Sequence, residues 1–244
     1  MLIYGVNPVL EAIRAGRVRH LRVSERAGSR VQEVAAAAAR AGIEVRLVQV
    51  VDLDRAARGG VHQGVMAEVE EPRDWSVSDL VSGASGVPLL VVLDGIEDPH
   101  NVGAILRTVD AAGADGVIRQ SRRAAPLGGA AAKAAAGAAS HVRIAEVVNI
   151  ARSIEELKEA GVWTVGLAGD SPNRYDQIDL TVPTAFVLGA EGTGLRRLVR
   201  ERCDWLVSIP MRGHVQSLNV SVAAGVALFE AVRQRQRGTR GRRE

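Results

Sequence analysis

Alternating apolar and polar positions mark three strands in the first 70 residues: VRHLRVS (18–24), IEVRLVQV (43–50) and VMAEVE (65–70). A helix is predicted over residues 29–42, because the segment begins at a Ser and ends at Gly42. A shorter helix is predicted from Pro8 to Ala15. The pattern therefore predicts a small α/β unit over residues 1–70.

The pattern changes after residue 70. Residues 71–88 contain two Pro, two Gly and four Ser, which predicts a linker or a loose helix over 71–87. The run LLVVLDG (89–95) then has the continuous apolar character of a strand covered on both faces. Further strands are predicted at 115–119, 142–147, 163–169, 184–190 and 205–211, and helices at 101–113, 127–139, 153–161, 195–203 and 217–235. This alternation predicts a mainly parallel sheet with helices on both faces over residues 88–244.

Composition adds exclusions to this picture. The 244 residues are 47% apolar and include three Trp, two Tyr and two Phe, which argues for a globular protein and against RNA readers that stack bases on aromatic platforms. The single cysteine, Cys203, excludes an internal disulfide, and five scattered His residues lack ligand spacing, so no metal site is expected. No apolar run is long enough for a transmembrane helix. The start of the chain lacks signal-peptide features, and we expect a cytoplasmic protein.

Basic residues are concentrated at two places. Residues 233–244 hold six Arg and one Glu, and residues 14–30 also hold six Arg and one Glu. Residues 1–232 taken as a whole hold 25 basic and 27 acidic side chains and are near neutral. This excludes a histone-like protein and leaves a nucleic-acid binder with local basic patches or a metabolic enzyme with a basic end. We expect the segment 233–244 to be a flexible, phosphate-binding tail.

In a parallel sheet, ligands bind beyond the carboxyl ends of the strands, and three segments after predicted strands carry candidate chemistry. In the first (93–117), Asn101 can cap a helix and Arg107 lies in an otherwise apolar helix. A charge at such a position must reach solvent, a partner or a ligand anion.

The second segment, FVLGAEGTGL (186–195), places three glycines between a strand and a helix. Its spacing differs from a dinucleotide fingerprint. Glu191 would repel a phosphate, so this loop suits a neutral or cationic ligand or the orientation of an arginine. A solvated turn residue is the simpler alternative for Glu191.

The third segment, SIPMRGHVQSLNVSVAAGVALFE (208–230), leads into the last predicted helix. Ser217 is the expected N-cap of this helix. Asn219 and Ser221 are poor helix-interior residues in its first turn, which suggests a site built on the helix N-terminus.

Together the three segments resemble the SpoU (TrmH) family of RNA ribose 2′-O-methyltransferases. The resemblance rests on Asn101-Val-Gly-Ala-Ile-Leu-Arg107-Thr108, Leu188-Gly-Ala-Glu191-Gly-Thr-Gly-Leu195 and Ile209-Pro-Met-Arg-Gly-His-Val-Gln-Ser217-Leu-Asn219-Val-Ser221. The segments Tyr4–Ala12 and His62-Gln63-Gly64 are similar to the L30e-like substrate-binding domain of the subgroup that methylates a guanosine ribose in 23S rRNA.

The resemblance implies a SPOUT-type catalytic domain with a C-terminal trefoil knot, a homodimer formed through that domain, and S-adenosylmethionine as methyl donor. It places Gly189, Ile209 and Leu218 around the cofactor, and Arg107, Glu191, Ser217 and Asn219 at the reaction centre. On this basis we expect Arg107 to grip a phosphate, Glu191 to orient Arg107 and Asn219 to position the hydroxyl or shape the cofactor pocket. Arg14, Arg17, Arg19, Arg22 and Asn101 are the expected RNA contacts.

Three functions remain open at this point. The favoured one is methyl transfer to a guanosine of 23S rRNA, with another rRNA or a tRNA ribose as alternative targets. A non-catalytic RNA-binding assembly factor on the same scaffold is the second. A nucleotide-dependent oxidoreductase is the third, and the glycine spacing counts against it.

Overall fold

The computed structural model describes residues 2–26, 28–57, 59–69, 74–122, 124–125, 127, 130–135 and 138–240. The chain divides into two compact units, Met1–Arg73 and Asp74–Glu244. This division falls within the span 71–87 that the composition assigns to a linker.

The first unit is a four-stranded sheet with strand order β1-β4-β2-β3. Its strands are β1 (Leu2–Tyr4), β2 (Val18–Ser24), β3 (Glu44–Val48) and β4 (Val65–Val69), and its helices are α1 (Val6–Arg14), α2 (Ser29–Arg40) and α3 (Val50–Ala57). Apolar residues of α1 and α2 share one core with Leu21 and Val23 of β2. Leu53 of α3 packs with Met66 in a separate small cluster.

The second unit contains a six-stranded sheet with strand order β10-β8-β9-β5-β6-β7, and all its strand pairs are parallel. The strands are β5 (Leu89–Asp94), β6 (Gly116–Gln120), β7 (Ile144–Val147), β8 (Trp163–Leu167), β9 (Thr184–Gly189) and β10 (Trp205–Val207). The helices are α4 (Val77–Ser82), α5 (Pro99–Ala112), α6 (Ala130–Ala135), α7 (Ile150–Glu159), α8 (Arg197–Arg202) and α9 (Val220–Arg240), with a short 3-10 helix at Ala138–Ser140.

Strand β5 shows why this sheet is buried on both faces. Leu89, Val91 and Leu93 pack in the cluster that contains α5 and α9. Leu90 and Val92 point to the opposite face, in the cluster that contains α4, α7 and α8. Successive strand residues point to opposite faces, so a continuous apolar run fills both cores. The predicted α/β architecture with a parallel sheet is confirmed, while the trefoil knot stays a prediction.

Several elements differ from the sequence-based expectation. β1 and α3 were not predicted. Of the two alternatives left open for residues 71–87, a linker or a loose helix, the structure has helix α4, where Ser76 and Asp79 make a reciprocal capping box. One helix was expected over 127–139. Within the described residues the structure instead has the shorter α6 and the short 3-10 helix. The last helix begins at Val220 rather than at Ser217.

The basic segment 233–244 is not a separate tail over its described part. Helix α9 continues to Arg240. The Arg235 guanidinium donates hydrogen bonds of 2.7–2.9 Å to the carbonyl oxygens of Val87, Pro88, Leu180 and Val182. The expectation of a flexible extension is therefore wrong for these residues, because Arg235 ties the helix to the chain that enters β5 and β9. Residues 241–244 lie outside the described residues.

Candidate functional site

The three segments selected from the sequence meet at the carboxyl end of the six-stranded sheet, and Asn219 joins them. Its Nδ2 donates to Asn101 Oδ1 at 2.9 Å and to Glu191 Oε1 at 2.7 Å. Its Oδ1 accepts from the backbone N of Ser221 at 2.9 Å. Asn219 therefore caps α9 with its oxygen and bridges α5 to the glycine loop with its nitrogen.

The glycine loop (residues 189–195) is a tight reversal after β9. Ala190 and Gly194 exchange two backbone hydrogen bonds, of 3.1 and 2.8 Å. Gly192 and Gly194 have φ of 78° and 68°, in the left-handed region that favours glycine. A Cβ on Gly189 would overlap the carbonyl carbon of Gly194, so the loop closes only because residue 189 has no side chain.

A cavity of about 620 Å³, which we call the donor cavity, lies on one side of the glycine loop. Its apolar wall comes from the ends of β8, β9 and β10 and from the start of α9, and it includes Leu167, Leu188, Val207, Ile209 and Leu218. The glycine loop, Ser208 and Ser217 contribute polar groups to the lining. The lining is thus a mixture of apolar side chains, backbone and a few polar groups, which is typical of small-molecule sites.

A second cavity of about 460 Å³, which we call the acceptor cavity, lies at the ends of β5 and β6. It is lined by Asn101, Glu97, Gln120 and Arg196 among others. Ala190, Glu191, Thr193 and Gly194 line both cavities. The glycine loop is therefore a common wall between two sites large enough for two small ligands.

An ion pair between Arg200 and Asp170 lies at the edge of the donor cavity. Both Arg200 Nη atoms donate to Asp170, at 2.9 and 3.0 Å, and these hydrogen bonds hold the pKa of Asp170 below its ordinary value. Asp170 is therefore ionised at neutral pH. Both residues line the donor cavity.

The structure brings most of the predicted site residues together. Gly189, Ile209, Ser217, Leu218 and Asn219 line the donor cavity. Asn101 is 6% exposed and lines the acceptor cavity, and Glu191 lines both. The expectation that Ser217 caps α9 is wrong, because Ser217 precedes the helix and Asn219 makes the cap.

Arg107 is the exception. Its side chain is exposed on α5 and lines neither cavity. Within the described residues it makes no hydrogen bond or ion pair, and Glu191 accepts its hydrogen bond from Asn219 instead. The expected pairing of Glu191 with Arg107 is therefore absent from the described part of a single chain.

Two functional candidates were missed by the sequence reasoning, Asp94 and Arg196. Asp94 ends β5 with no exposed surface, and Arg196 follows the glycine loop. An acid at the end of the buried run LLVVLD was the available signal. Its arginine partner is 102 residues away in the chain, and sequence spacing gives no indication of that pairing.

The four arginines predicted to bind RNA lie in the first unit. Arg14 ends α1, Arg17 lies in the following turn, and Arg19 and Arg22 lie on β2. Arg14, Arg19 and Arg22 are exposed, and Arg17 is half-buried. Because β2 runs from Val18 to Ser24, it separates Arg14 and Arg17 from Arg26 and Arg30 by roughly 20 Å. The cluster seen in the sequence is thus spread along the unit.

Two sequence-based exclusions concern metals and membranes. Among the described residues, no group of three or more His, Cys, Asp or Glu side chains is placed to hold a metal ion. No helix in the described part of the chain is both long and apolar enough to cross a bilayer.

Comparison with known proteins agrees with this geometry. The family model described as SpoU rRNA Methylase family matches residues 88–229, which contain the first two segments of the site and all but the last residue of the third. The chain belongs to the SpoU rRNA methylase family. A second model, RNA 2′-O ribose methyltransferase substrate binding, matches residues 2–75.

Curated relatives extend the match over nearly the whole chain. The 23S rRNA (guanosine-2′-O-)-methyltransferase RlmB of Pseudomonas syringae pv. tomato is 46% identical over 239 residues, covering 96% of this SpoU-family chain and 95% of the relative. The RlmB of Yersinia pestis is also 46% identical over 239 residues, covering 96% of this chain and 97% of that relative.

Solved structures give the same fold for this family member. The SpoU methyltransferase AviRb from Streptomyces viridochromogenes, in complex with the cofactor AdoMet, has a TM-score of 0.65 and 28% identity, covering 97% of this chain and 90% of that chain. An AdoMet-bound rRNA methyltransferase from Sinorhizobium meliloti has a TM-score of 0.65 and 29% identity, covering 95% of this chain and 86% of that chain.

Proposed function

We propose that this protein transfers a methyl group from S-adenosylmethionine to the ribose 2′-hydroxyl of a guanosine in 23S rRNA. The observation that carries the proposal is the Asn219 bridge, which links Asn101 and Glu191 at the wall between two cavities. The high identity to RlmB proteins across both units supports the guanosine target.

The donor cavity fits S-adenosylmethionine. Its volume of about 620 Å³ lies within the range of small-molecule sites, and its apolar wall suits an adenine ring. Backbone around Gly189, Ile209 and Leu218 can hydrogen-bond the base and the ribose. The carboxylate of Glu191 suits a cationic sulfonium and disfavours a phosphate-rich cofactor. When bound, S-adenosylmethionine supplies an activated methyl group.

The acceptor cavity is the place for the target nucleoside. It shares the wall that carries Glu191 with the donor cavity, and Asn101 borders it. A ribose hydroxyl is a weak nucleophile and needs a hydrogen-bond partner that accepts its proton. Asn219, fixed by its helix-cap hydrogen bonds, holds Glu191 Oε1 in place. The other Glu191 oxygen makes no hydrogen bond within the described residues and can accept from the hydroxyl.

We assign Arg107 to the RNA phosphate beside the target nucleotide. A guanidinium stays protonated and makes charge-assisted hydrogen bonds to phosphate oxygens. Ser217, exposed at the mouth of the donor cavity, completes the reaction centre. Arg14, Arg17, Arg19 and Arg22 contribute phosphate contacts from the first unit.

We further propose a homodimer formed through the second unit. Val222 and Phe229 on α9 are about half exposed, at 51% and 50%. Gly225, which lies between them on α9, packs against Thr108, the neighbour of Arg107 on α5. A second copy covering this apolar surface would place Arg107 at the interface, where it could act. We also propose that the protein acts on rRNA in the cytoplasm.

A methyl-transfer assay on 23S rRNA fragments tests the function. We expect wild-type protein to make one guanosine ribose resistant to alkaline cleavage, and Arg107→Ala and Asn219→Asp to lose on the order of 100-fold in rate. Aspartate keeps the helix cap but cannot donate to Asn101 and Glu191. Arg197→Ala, a surface variant, is the control and should retain the wild-type rate.

Several outcomes separate the alternatives. Methylation of tRNA but not of rRNA would show that the substrate is a tRNA rather than 23S rRNA. RNA binding without S-adenosylmethionine affinity in calorimetry would favour an assembly factor, and binding of a nicotinamide cofactor would favour an oxidoreductase. Wild-type rates in both site variants would refute the residue roles.

A further inference from the structure

An ion pair between a buried carboxylate, Asp94, and a half-exposed arginine, Arg196, closes the base of the glycine loop. Asp94 is fully buried at the end of β5. Arg196 donates to it three times: the backbone N to Oδ2 at 2.8 Å, Nε to Oδ1 at 2.6 Å, and Nη2 to Oδ1 as well. A carboxylate without solvent access requires such partners, because an unpaired buried charge is costly.

Asp94 lies next to both ends of the glycine loop. In the sheet, Asp94 lies beside Gly189, the residue from which the loop departs. Arg196, to which Asp94 is hydrogen-bonded, directly follows the loop and is the N-cap residue of α8. The carboxylate therefore fixes the exit of the loop against the strand beside its entry.

Neighbouring arginines on α8 make ion pairs of a different kind. Arg197 pairs with Glu201 along the helix surface, and the two side chains are 78% and 53% exposed. Arg200 pairs with Asp170, which is 70% exposed. Exposed pairs contribute little to structure, whereas the carboxylate that holds Arg196 is buried. Arg197 thus offers a matched control, one residue away in the chain.

We propose that Asp94 and Arg196 are positioning residues for methyl transfer: their ion pair holds the glycine loop so that Glu191 faces Asn219 between the donor and acceptor cavities. The inference rests on the proposed function. Neither residue needs to touch a reacting atom. The pair acts through Glu191, which lies in the middle of the loop and lines both cavities.

The test compares Arg196→Ala, Arg196→Lys and Arg197→Ala in the full-length protein. We expect Arg196→Ala to lower kcat at saturating S-adenosylmethionine by about 10- to 100-fold, the range for a small misplacement of catalytic groups. Lysine can still donate to the Asp94 carboxylate, so Arg196→Lys should restore most of the lost rate. Arg197→Ala should match the wild type.

Hydrogen exchange provides a readout that does not need activity. Amides in the peptide that carries residues 189–195 should exchange faster in Arg196→Ala, while amides of α7 stay unchanged. If Arg196→Ala fails to fold, the double variant Asp94→Asn/Arg196→Gln removes both charges and should show the same loop exchange and the same loss of kcat.

The results distinguish this inference from the proposed function. Wild-type kcat and wild-type loop exchange in folded Arg196→Ala or in the double variant would overturn the positioning role. A loss of thermal stability with unchanged kcat would overturn it too, because the pair would then be merely structural. If wild-type protein binds no S-adenosylmethionine, the proposed function fails, whereas the exchange experiment still tests whether the pair holds the loop.

Discussion

Arg235 gives a quantitative test of how the last helix is attached to the second unit. Its guanidinium donates four hydrogen bonds to backbone carbonyl oxygens that precede β5 and β9. Burial lowers the pKa of Arg235, but a guanidinium stays protonated at neutral pH. At a net value of about 1 kcal/mol for each hydrogen bond, Arg235→Ala should lower the free energy of unfolding by about 3 to 4 kcal/mol.

The expected shift in Tm follows from the size of the unit. For chains of 150–250 residues, each kcal/mol corresponds to about 2 to 4 °C, so Arg235→Ala should lower Tm by roughly 6 to 16 °C. Tryptophan fluorescence is the suitable probe, because Trp75, Trp163 and Trp205 all lie in the second unit. The tryptophan fluorescence therefore reports unfolding of the second unit and not of the first.

The matched control is Arg237→Ala, which removes an exposed arginine two residues later on α9. It should leave Tm within about 2 °C of the wild type, the scale expected of surface substitutions. Truncation of residues 233–244 should destabilise the unit at least as much as Arg235→Ala. An Arg235→Ala protein with the Tm of Arg237→Ala would refute the reasoning, and the segment would then behave as the flexible tail expected from its charge.

Two further predictions concern the glycine loop and the cysteine. Gly189→Ala should weaken S-adenosylmethionine binding by more than about tenfold in calorimetry, because its Cβ has no space beside Gly194, whereas Gly86→Ala has open space and should not. Burial, with the nearby Asp204 and Asp94 carboxylates, raises the pKa of Cys203 to about 12. Native protein should therefore react slowly with a thiol reagent at pH 8 and rapidly in urea, and fast native labelling would contradict this.

The parts of the fold that sequence could predict are those with a local signal. Strand β5 was predicted within one residue, because each of its residues is apolar or buried and both faces are covered. Helix α3 was missed because Val50 and Val51 prolong the apolar pattern of the preceding strand. Only Leu53 and Ala57 of α3 are buried, which leaves too short a stripe to mark a helix.

The parts that could not be predicted depend on long-range pairing. Arg235 resembles its arginine neighbours in sequence, and nothing local distinguishes it as the one that binds four carbonyl groups. The pair of Asp94 with Arg196 is equally hidden. Asn219 was selected from its position, but its double role became clear only when α5 and the glycine loop were placed beside the start of α9.

Arg235 and Arg107 are both arginines, but the structure assigns fold stability to Arg235 and leaves Arg107 available for methyl transfer. Arg235 meets its hydrogen-bonding needs inside its own chain, so its removal should cost stability. Arg107 is exposed and has no partner within the described residues, so folding of a single chain gains little from its charge. Arg107→Ala should therefore keep the wild-type Tm while losing methyl transfer. Because neither cavity of its own chain includes Arg107, that result would indicate that RNA or a second copy supplies its partner.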